Sequence, residues 1–285
     1  DTDRSRGLGD VYKRQDIMNI HEKLKRWMCI TQEDSAILDY LNAELKKAQS
    51  LSLNNESNRL FLYKTILLAH LKYIQVINLL TRGDFYEAWV ELERIEIDLI
   101  HIKENNEFLP EVNFYGVNFL ARMVCNWQAL FPYKIFGSSR EIIKEVKCSV
   151  CNTTRSFIND CGHVKNKLYN GVLCFDEVID FELITYDIVS NPVNKCSVFF
   201  SNDGDHYNYS TLISVVKYIQ SPHQIFNITT WRFKAKEHDG VLSPENICPC
   251  GDSLKKYADC CLPRNGIYKK HIDIWFPFPL NVEPI

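Results

Sequence analysis

The chain has 285 residues, of which 46% are hydrophobic and 24% charged, with a net charge of −3. That length allows one large domain or two to three small ones, and the composition is that of an ordinary globular protein. A slightly acidic total excludes a global basic field, so any nucleic-acid binding would need a local patch.

Asp10-Val11-Tyr12-Lys13-Arg14-Gln15 looks like the translated end of a sequencing adapter. Residues 1–17 are therefore set aside as an artefactual or disordered leader, with Met18 the expected start. From Met18 on there is no long apolar core and no small-residue cleavage site, so no secretory signal is expected. The most apolar stretch, 60–80, is broken by Lys64, His70 and Lys72 and reads as a buried amphipathic helix, not a membrane span. The expected compartment is cytoplasmic and reducing.

Residues 18–145 read as a helical domain. Thr31-Gln32-Glu33-Asp34 is a capping box opening a helix to about Ala48, with Leu38, Leu41 and Leu45 on one face. A polar break is expected at 51–58, then helices at 59–80, 85–105 and 117–130, the last stopped by Pro132. Cys29 and Cys125 are expected in the helical core, and His70 and His101 as packing or surface residues. Residues 139–147 are expected to form a short helix or linker. The join Gly83-Asp84-Phe85-Tyr86-Glu87-Ala88-Trp89, followed by Leu92, resembles a helical-hairpin repeat of the tetratricopeptide kind, without a second copy. A generic pair of antiparallel helices is the plainer reading.

A β-containing domain is expected over 146–240. The β-forming run 172–201 suggests two strands around a turn at Asn191-Pro192. A loop follows at 201–205, where Asp203, Asp205 and His206 could hold a cation, although acidic glycine-containing loops are common. Then come a helix at 209–219, a strand at 225–233 and a charged linker at 235–246. Residues 241–285 read as a cysteine knuckle and an extended aromatic, Pro-rich tail. The run Lys269-Lys270-His271 reads as a solvated face. The expected class is α+β.

Eleven cysteines in a reducing compartment call for a reason, and nine of them lie between 148 and 261. Short spacings point to metal more than to disulfides. Cys148, Cys151, Cys161 and His163 are the favoured central ligands, and Cys174 competes for a place. A catalytic zinc here would need a base such as Asp176 or Glu177. The pattern CxxC, CxH and Tyr169-Asn170-Gly171 to Cys174 resembles a short zinc motif of some phage-encoded and bacterial proteins, which implies strands and an Asn-Pro turn and no assigned activity.

At the C-terminus Cys248, Cys250, Cys260 and Cys261 offer four thiolates, enough to close a tetrahedral zinc site. Gly251 frees backbone N–H groups for the sulfurs, and Lys255 and Lys256 balance the excess negative charge. The run CPCG, Ser253, Lys255-Lys256-Tyr257 and a final Cys pair resembles the SEC-C motif, the small zinc module of the Sec-pathway motor ATPase. It departs in having nine residues between Cys250 and Cys260, where the usual form has eight. The resemblance implies docking on a partner, with Lys255, Lys256 and Tyr257 as contact residues.

Together these readings lead to a non-enzymatic accessory protein that binds two Zn²⁺ ions and a protein partner. Two alternatives stand beside it. One is a nucleic-acid-binding zinc protein, since 248–271 holds five Lys or Arg against two Asp, with Tyr257, Tyr268 and Trp275 interleaved. The other is a metalloenzyme centred on Cys148 and His163.

Overall fold

Apolar residues on nearly every face of 54–82 dictate a helix buried on all sides. In the computed structural model, which describes residues 20–156, 158–200, 207–235, 242–251, 255–264 and 266–277, that helix is α3 (Asn54–Arg82). It packs between α2 (Ala36–Ser50) and α4 (Phe85–Glu104). A helical turn at residues 20–25 (α1) precedes them, and α5 (Val117–Leu130) follows. Leu62, Ile66, Ala69 and Val76 of α3 are fully buried. Among the described helices α3 alone is long and apolar enough to cross a membrane, and 67% of its apolar window is buried inside the protein.

Two of the polar residues that interrupt α3 reach partners on neighbouring elements. His70 Nε2 lies 2.8 Å from the Tyr115 carbonyl oxygen, and Lys72 pairs with Asp98 at 2.7 Å. The α3–α4 join follows the sequence. Gly83 is left-handed (φ 85°), and the N–H groups of Gly83 and Asp84 close on the carbonyls of Leu80 and Leu79. Ala88 and Leu92 are fully buried at the crossing. Thr31 N–H donates to Asp34 Oδ2 at 2.8 Å, but the turn this opens is first a 3-10 helix, Gln32–Ser35, that runs into α2.

The chain divides into two compact units, Asp1–Cys125 with Ile142–Glu182, and Asn126–Glu141 with Leu183–Ile285. Strands β1 (Phe136–Cys148) and β5 (Asp176–Val189) pair, and β2 (Thr154–Arg155) adds to the outer edge of β1. The ion pairs Arg140–Asp187 and Lys144–Glu182 step in opposite senses along the two strands, as in an antiparallel ribbon. Most of this ribbon is exposed. In the second unit Trp127 meets Phe226 edge-on at 4.7 Å, and α6 (Ser210–Val216) buries Leu212 and Val215. There β6 (Asn227–Lys234) pairs antiparallel with β7 (Tyr268–Trp275) over their whole length.

Four expectations are corrected. Residues 139–147 form a strand, because β5 supplies a pairing partner far away in sequence. The run 172–201 gives a two-residue strand β4 (Val172–Leu173) and one long strand β5, with the Asn191-Pro192 bend after it; beyond the bend Val198 makes an isolated bridge to Phe136. Residues 268–275 are a paired strand and not merely a solvated run. The break at 51–58 is a short turn with Ser52 at φ 55°, after which α3 begins at Asn54.

The last correction has a physical cause. Ser57 and Asn58 look like loop residues, yet both are buried in α3 under the hairpin of β3 (Leu168–Tyr169) and β4. Asn170 and Gly171 form its two-residue turn with φ of 50° and 70°, the conformation for which Asn-Gly is suited. The Gly171 N–H donates to Asn58 Oδ1 at 2.7 Å, and Asn170 Nδ2 donates to the Gln49 carbonyl at 3.1 Å. A Cβ at Gly171 would stand 2.6 Å from Leu45 Cδ1, so the close approach itself requires glycine. Below the turn, fully buried Asn105 donates through Nδ2 to the Asn166 carbonyl at 2.7 Å, and its Oδ1 accepts the Leu168 N–H at 2.9 Å.

Replacing Asn105 with Ala strands a buried N–H and a buried carbonyl. The expected loss is about 2 kcal/mol, within the usual range of about 1–3 kcal/mol per orphaned group. Chemical denaturation checks it, and a loss below about 0.5 kcal/mol would remove Asn105 as the anchor of the hairpin.

Candidate metal centres

Two groups of four side chains bring their ligand atoms within 4.8 Å of one another: Cys148, Cys151, Cys161 and His163, and Cys248, Cys250, Cys260 and Cys261. Each cluster forms where a long ribbon turns back. Cys148 is the last residue of β1, and the β3–β4 hairpin lies between His163 and β5. The second cluster lies between β6 and β7.

At the central cluster the β1 ladder runs straight into the Cys148–Cys151 turn. Cys148 N–H donates to the Thr153 carbonyl at 3.0 Å and its carbonyl accepts the Asn152 N–H at 2.8 Å. Asn152 is left-handed (φ 56°), which reverses the chain and lets both sulfurs face inwards. Gly162 does the same between Cys161 and His163, at φ 75°. His163 packs edge-on against Tyr169 at 4.5 Å and places Nδ1 3.7 Å from Cys148 Sγ. Tyr169 hydroxyl in turn accepts the Val164 N–H at 2.9 Å.

Cys174 stands outside that group of four. It is buried beside it, with Sγ 3.9 Å from Cys148 Sγ, and its backbone ties into the β3–β4 hairpin through Lys167 and Asn166.

Arg155 is a functional residue that the sequence reading missed. Its Nη2 reaches the sulfurs of Cys148, Cys161 and Cys174 at 3.5, 3.5 and 3.3 Å and also the His163 carbonyl. Nη1 binds Asp176 Oδ1 at 2.8 Å, and Lys165 takes Asp176 Oδ2 at 2.5 Å. A lone cation inside a cysteine motif was the available signal, and it offsets thiolate charge as a lysine would. Both Asp176 oxygens are therefore engaged in ion pairs.

The electrostatics follow from the crowding. The His163 N–H directed at Cys161 brings that thiol down to about 7, with burial opposing and Arg155 assisting. Burial also opposes ionisation of Cys148, but the N–H groups of Cys151 and Val150 hold it below the usual thiol value. Burial and the neighbouring Cys148 sulfur push Cys174 up.

The C-terminal cluster is built from turns. Ile247 bridges Lys256, Cys248 N–H donates to the Lys255 carbonyl at 2.9 Å and Tyr257 N–H to the Asn246 carbonyl at 2.7 Å. Gly251 turns the chain at φ 74°. Sγ of Cys250 lies 3.6 Å from that of Cys260, which is 4.0 Å from Cys261. Burial works against Cys248 ionising, yet chiefly the Cys250 N–H brings it down to about 7. Burial and the adjacent sulfurs push Cys260 up to about 12. Four thiols this close cannot all ionise unless a cation stands among them.

The donor sets fit a four-coordinate ion. Tetrahedral zinc with sulfur at about 2.3 Å sets sulfurs about 3.8 Å apart, and at the C-terminal cluster the separations of 3.6 and 4.0 Å straddle that value. Buried Cys248, Cys250 and Cys261 with Ile267 are themselves the core of this segment, with Tyr257 and Tyr268 packed on them.

The remaining candidates are dispersed. Lys256 pairs with Glu245 at 2.5 Å. Cys29 and Cys125 are exposed, contrary to expectation. His70 is buried by packing, and His101 is half-buried on α4. Asp203, Asp205 and His206, and the loop at 252–254 that would absorb the extra residue, lie outside the described residues.

No protein-family model, curated protein or solved structure matches the chain. The likeness of residues 248–261 to the SEC-C motif therefore rests on its own cysteines.

Changing Cys174 to Ser is expected to leave metal content intact, whereas changing Cys161 to Ser removes about one equivalent. Elemental analysis of the purified variants decides this, and metal loss in the Cys174 variant would exchange that residue for one of the four.

Proposed function

We propose that this is a zinc-binding accessory protein that works by engaging a partner and not by catalysis. Both cysteine clusters serve it as structural sites. The observation that carries the reading is the presence of two separate sets of four donor atoms, each within 4.8 Å. Seven thiols and one imidazole suit zinc better than the hard cations. Bound there, zinc supplies a cross-link between chain segments. Four protein ligands leave no open position for a substrate or an activated water, and the engaged Asp176 weakens the metalloenzyme alternative.

The partner reading draws on surface chemistry. In the first unit Ile142, Ile143, Val178, Ile179 and Phe181 stand about half exposed on β1 and β5. Exposed apolar side chains on strands favour a protein partner. The Lys255–Lys256–Tyr257 segment supports docking less than its sequence suggested. Tyr257 packs on the cysteines, and Lys256 is held by Glu245. Reduced cysteines kept for metal fit a reducing, cytoplasmic compartment.

The purified chain is expected to carry two zinc equivalents. Cys148→Ser lowers the count by one, and Cys261→Ser by the other. A parent content below one equivalent would sink the reading. With zinc in place, Ile179→Asp and Phe181→Asp are expected to abolish capture of a protein partner while leaving the zinc count at two.

A further inference from the structure

The β6–β7 ribbon presents a surface that neither zinc site explains. Pairing places Trp231 opposite His271 and Phe233 opposite Lys269, so these four side chains share one face. Trp231 is 49% and Phe233 39% exposed. Their rings lie 5.9 Å apart, and the His271 ring lies 4.9 Å from Trp231. Trp231 is held along the same face, because Nε1 donates to Asp273 Oδ2 at 2.6 Å. The other oxygen of Asp273 takes His271 Nε2 at 3.1 Å.

Charge follows the aromatics. The two strands hold four cations, Arg232, Lys234, Lys269 and Lys270, against the single carboxylate of Asp273, in a chain whose total charge is −3. Arg232 and Lys270 are directly paired across the strands. With Lys134, Thr230 and the edge of Trp231 they line an open cleft of about 330 Å³.

We propose that this ribbon binds single-stranded nucleic acid. Unpaired bases stack on Trp231 and Phe233 beside Lys269, and the phosphates pass the edge of Trp231 into the cleft lined by Arg232 and Lys270, which the pairing places on the opposite face. Exposed ring faces flanked by cations match that ligand on both counts. Base stacking needs open aromatic faces and tolerates any sequence, and the backbone needs positive charge alongside. A duplex offers the phosphates but hides its base faces. A protein partner would be expected to bury apolar side chains without so many lysines and arginines around them. The proposal does not depend on the protein-docking reading, which rests on β1 and β5.

The test uses the full zinc-loaded chain and fluorescein-labelled dT12, U12 and a 12-base-pair duplex, read by anisotropy and tryptophan quenching. The expected result is single-strand binding that quenches tryptophan, at least tenfold tighter than duplex binding. Affinity should fall with salt at a log–log slope no steeper than about −3, since each phosphate contact contributes about −0.7 on a single strand. Trp231→Ala and Phe233→Ala should each weaken binding about tenfold or more, Trp231→Tyr should retain most of it, and Lys269→Glu with Lys270→Glu should flatten the salt slope. Circular dichroism and a zinc count of two verify that each variant is folded. Equal affinity for duplex, binding indifferent to both aromatic changes, or no binding to dT12 and U12 at low salt would each overturn the proposal.

Discussion

Two-stranded ribbons have no interior, and the described residues hold two long strand pairs, β1–β5, with only the two-residue β2 added at its edge, and β6–β7. An isolated pair of strands is marginal in water, so something must hold each pair in register. Here each ribbon turns back through a cysteine cluster: the chain passes from β1 through Cys148, Cys151, Cys161 and His163 to β5, and from β6 through Cys248, Cys250, Cys260 and Cys261 to β7. The ladder continues into the second cluster, where Ala235 N–H donates to the Ile267 carbonyl at 2.8 Å and Ile267 packs on the cysteines. Long connections are cheap to close, at only about 0.6 kcal/mol for each doubling of length. A structural zinc site supplies on the order of 10 kcal/mol. An ion held there would let an irregular segment stand where a tight turn would otherwise be needed.

The two clusters are supported in different ways. The central one rests on the helical body, since the β3–β4 hairpin that follows its ligands is received by Asn58 and Asn105 and seats Leu168 in the main core. Those amides pair with backbone groups that burial would otherwise leave orphaned, so the hairpin cannot shift by one residue without stranding several of them. Among the described residues the C-terminal cluster has no comparable foundation, because the cysteines are most of its core. Its order depends on its own ligands to a degree that the central cluster's does not.

The sequence made some of this legible and hid the rest for identifiable reasons. Helices α3 to α5 were readable from apolar spacing and from Gly83, and the cysteine spacings announced both clusters. Residues 139–147 were misread because Glu141, Lys144, Glu145 and Lys147 suit a helix locally, while the β5 partner lies beyond Cys174. Tertiary pairing overrode local propensity. Ser57 and Asn58 looked like a break because a polar pair before an apolar run normally marks one, and only the hairpin turns their polarity into an asset. The β7 strand was hidden for the opposite reason, since Lys269, Lys270 and His271 on an open ribbon carry no apolar alternation to detect.

Charge distribution links these observations. A protein with a net charge of −3 keeps its carboxylates largely on the helices and on β1 and β5, where Glu182 and Asp187 pair across the strands with Lys144 and Arg140. On β6 and β7 the only carboxylate, Asp273, is turned to aligning Trp231 and His271. The first ribbon therefore carries seven carboxylates against three cations with apolar side chains outward, whereas the second carries four cations and one carboxylate beside Trp231 and Phe233. Similar scaffolds closed by similar clusters thus offer opposite surface chemistries, and total charge, which averages the two, is a poor guide to what either ribbon would bind.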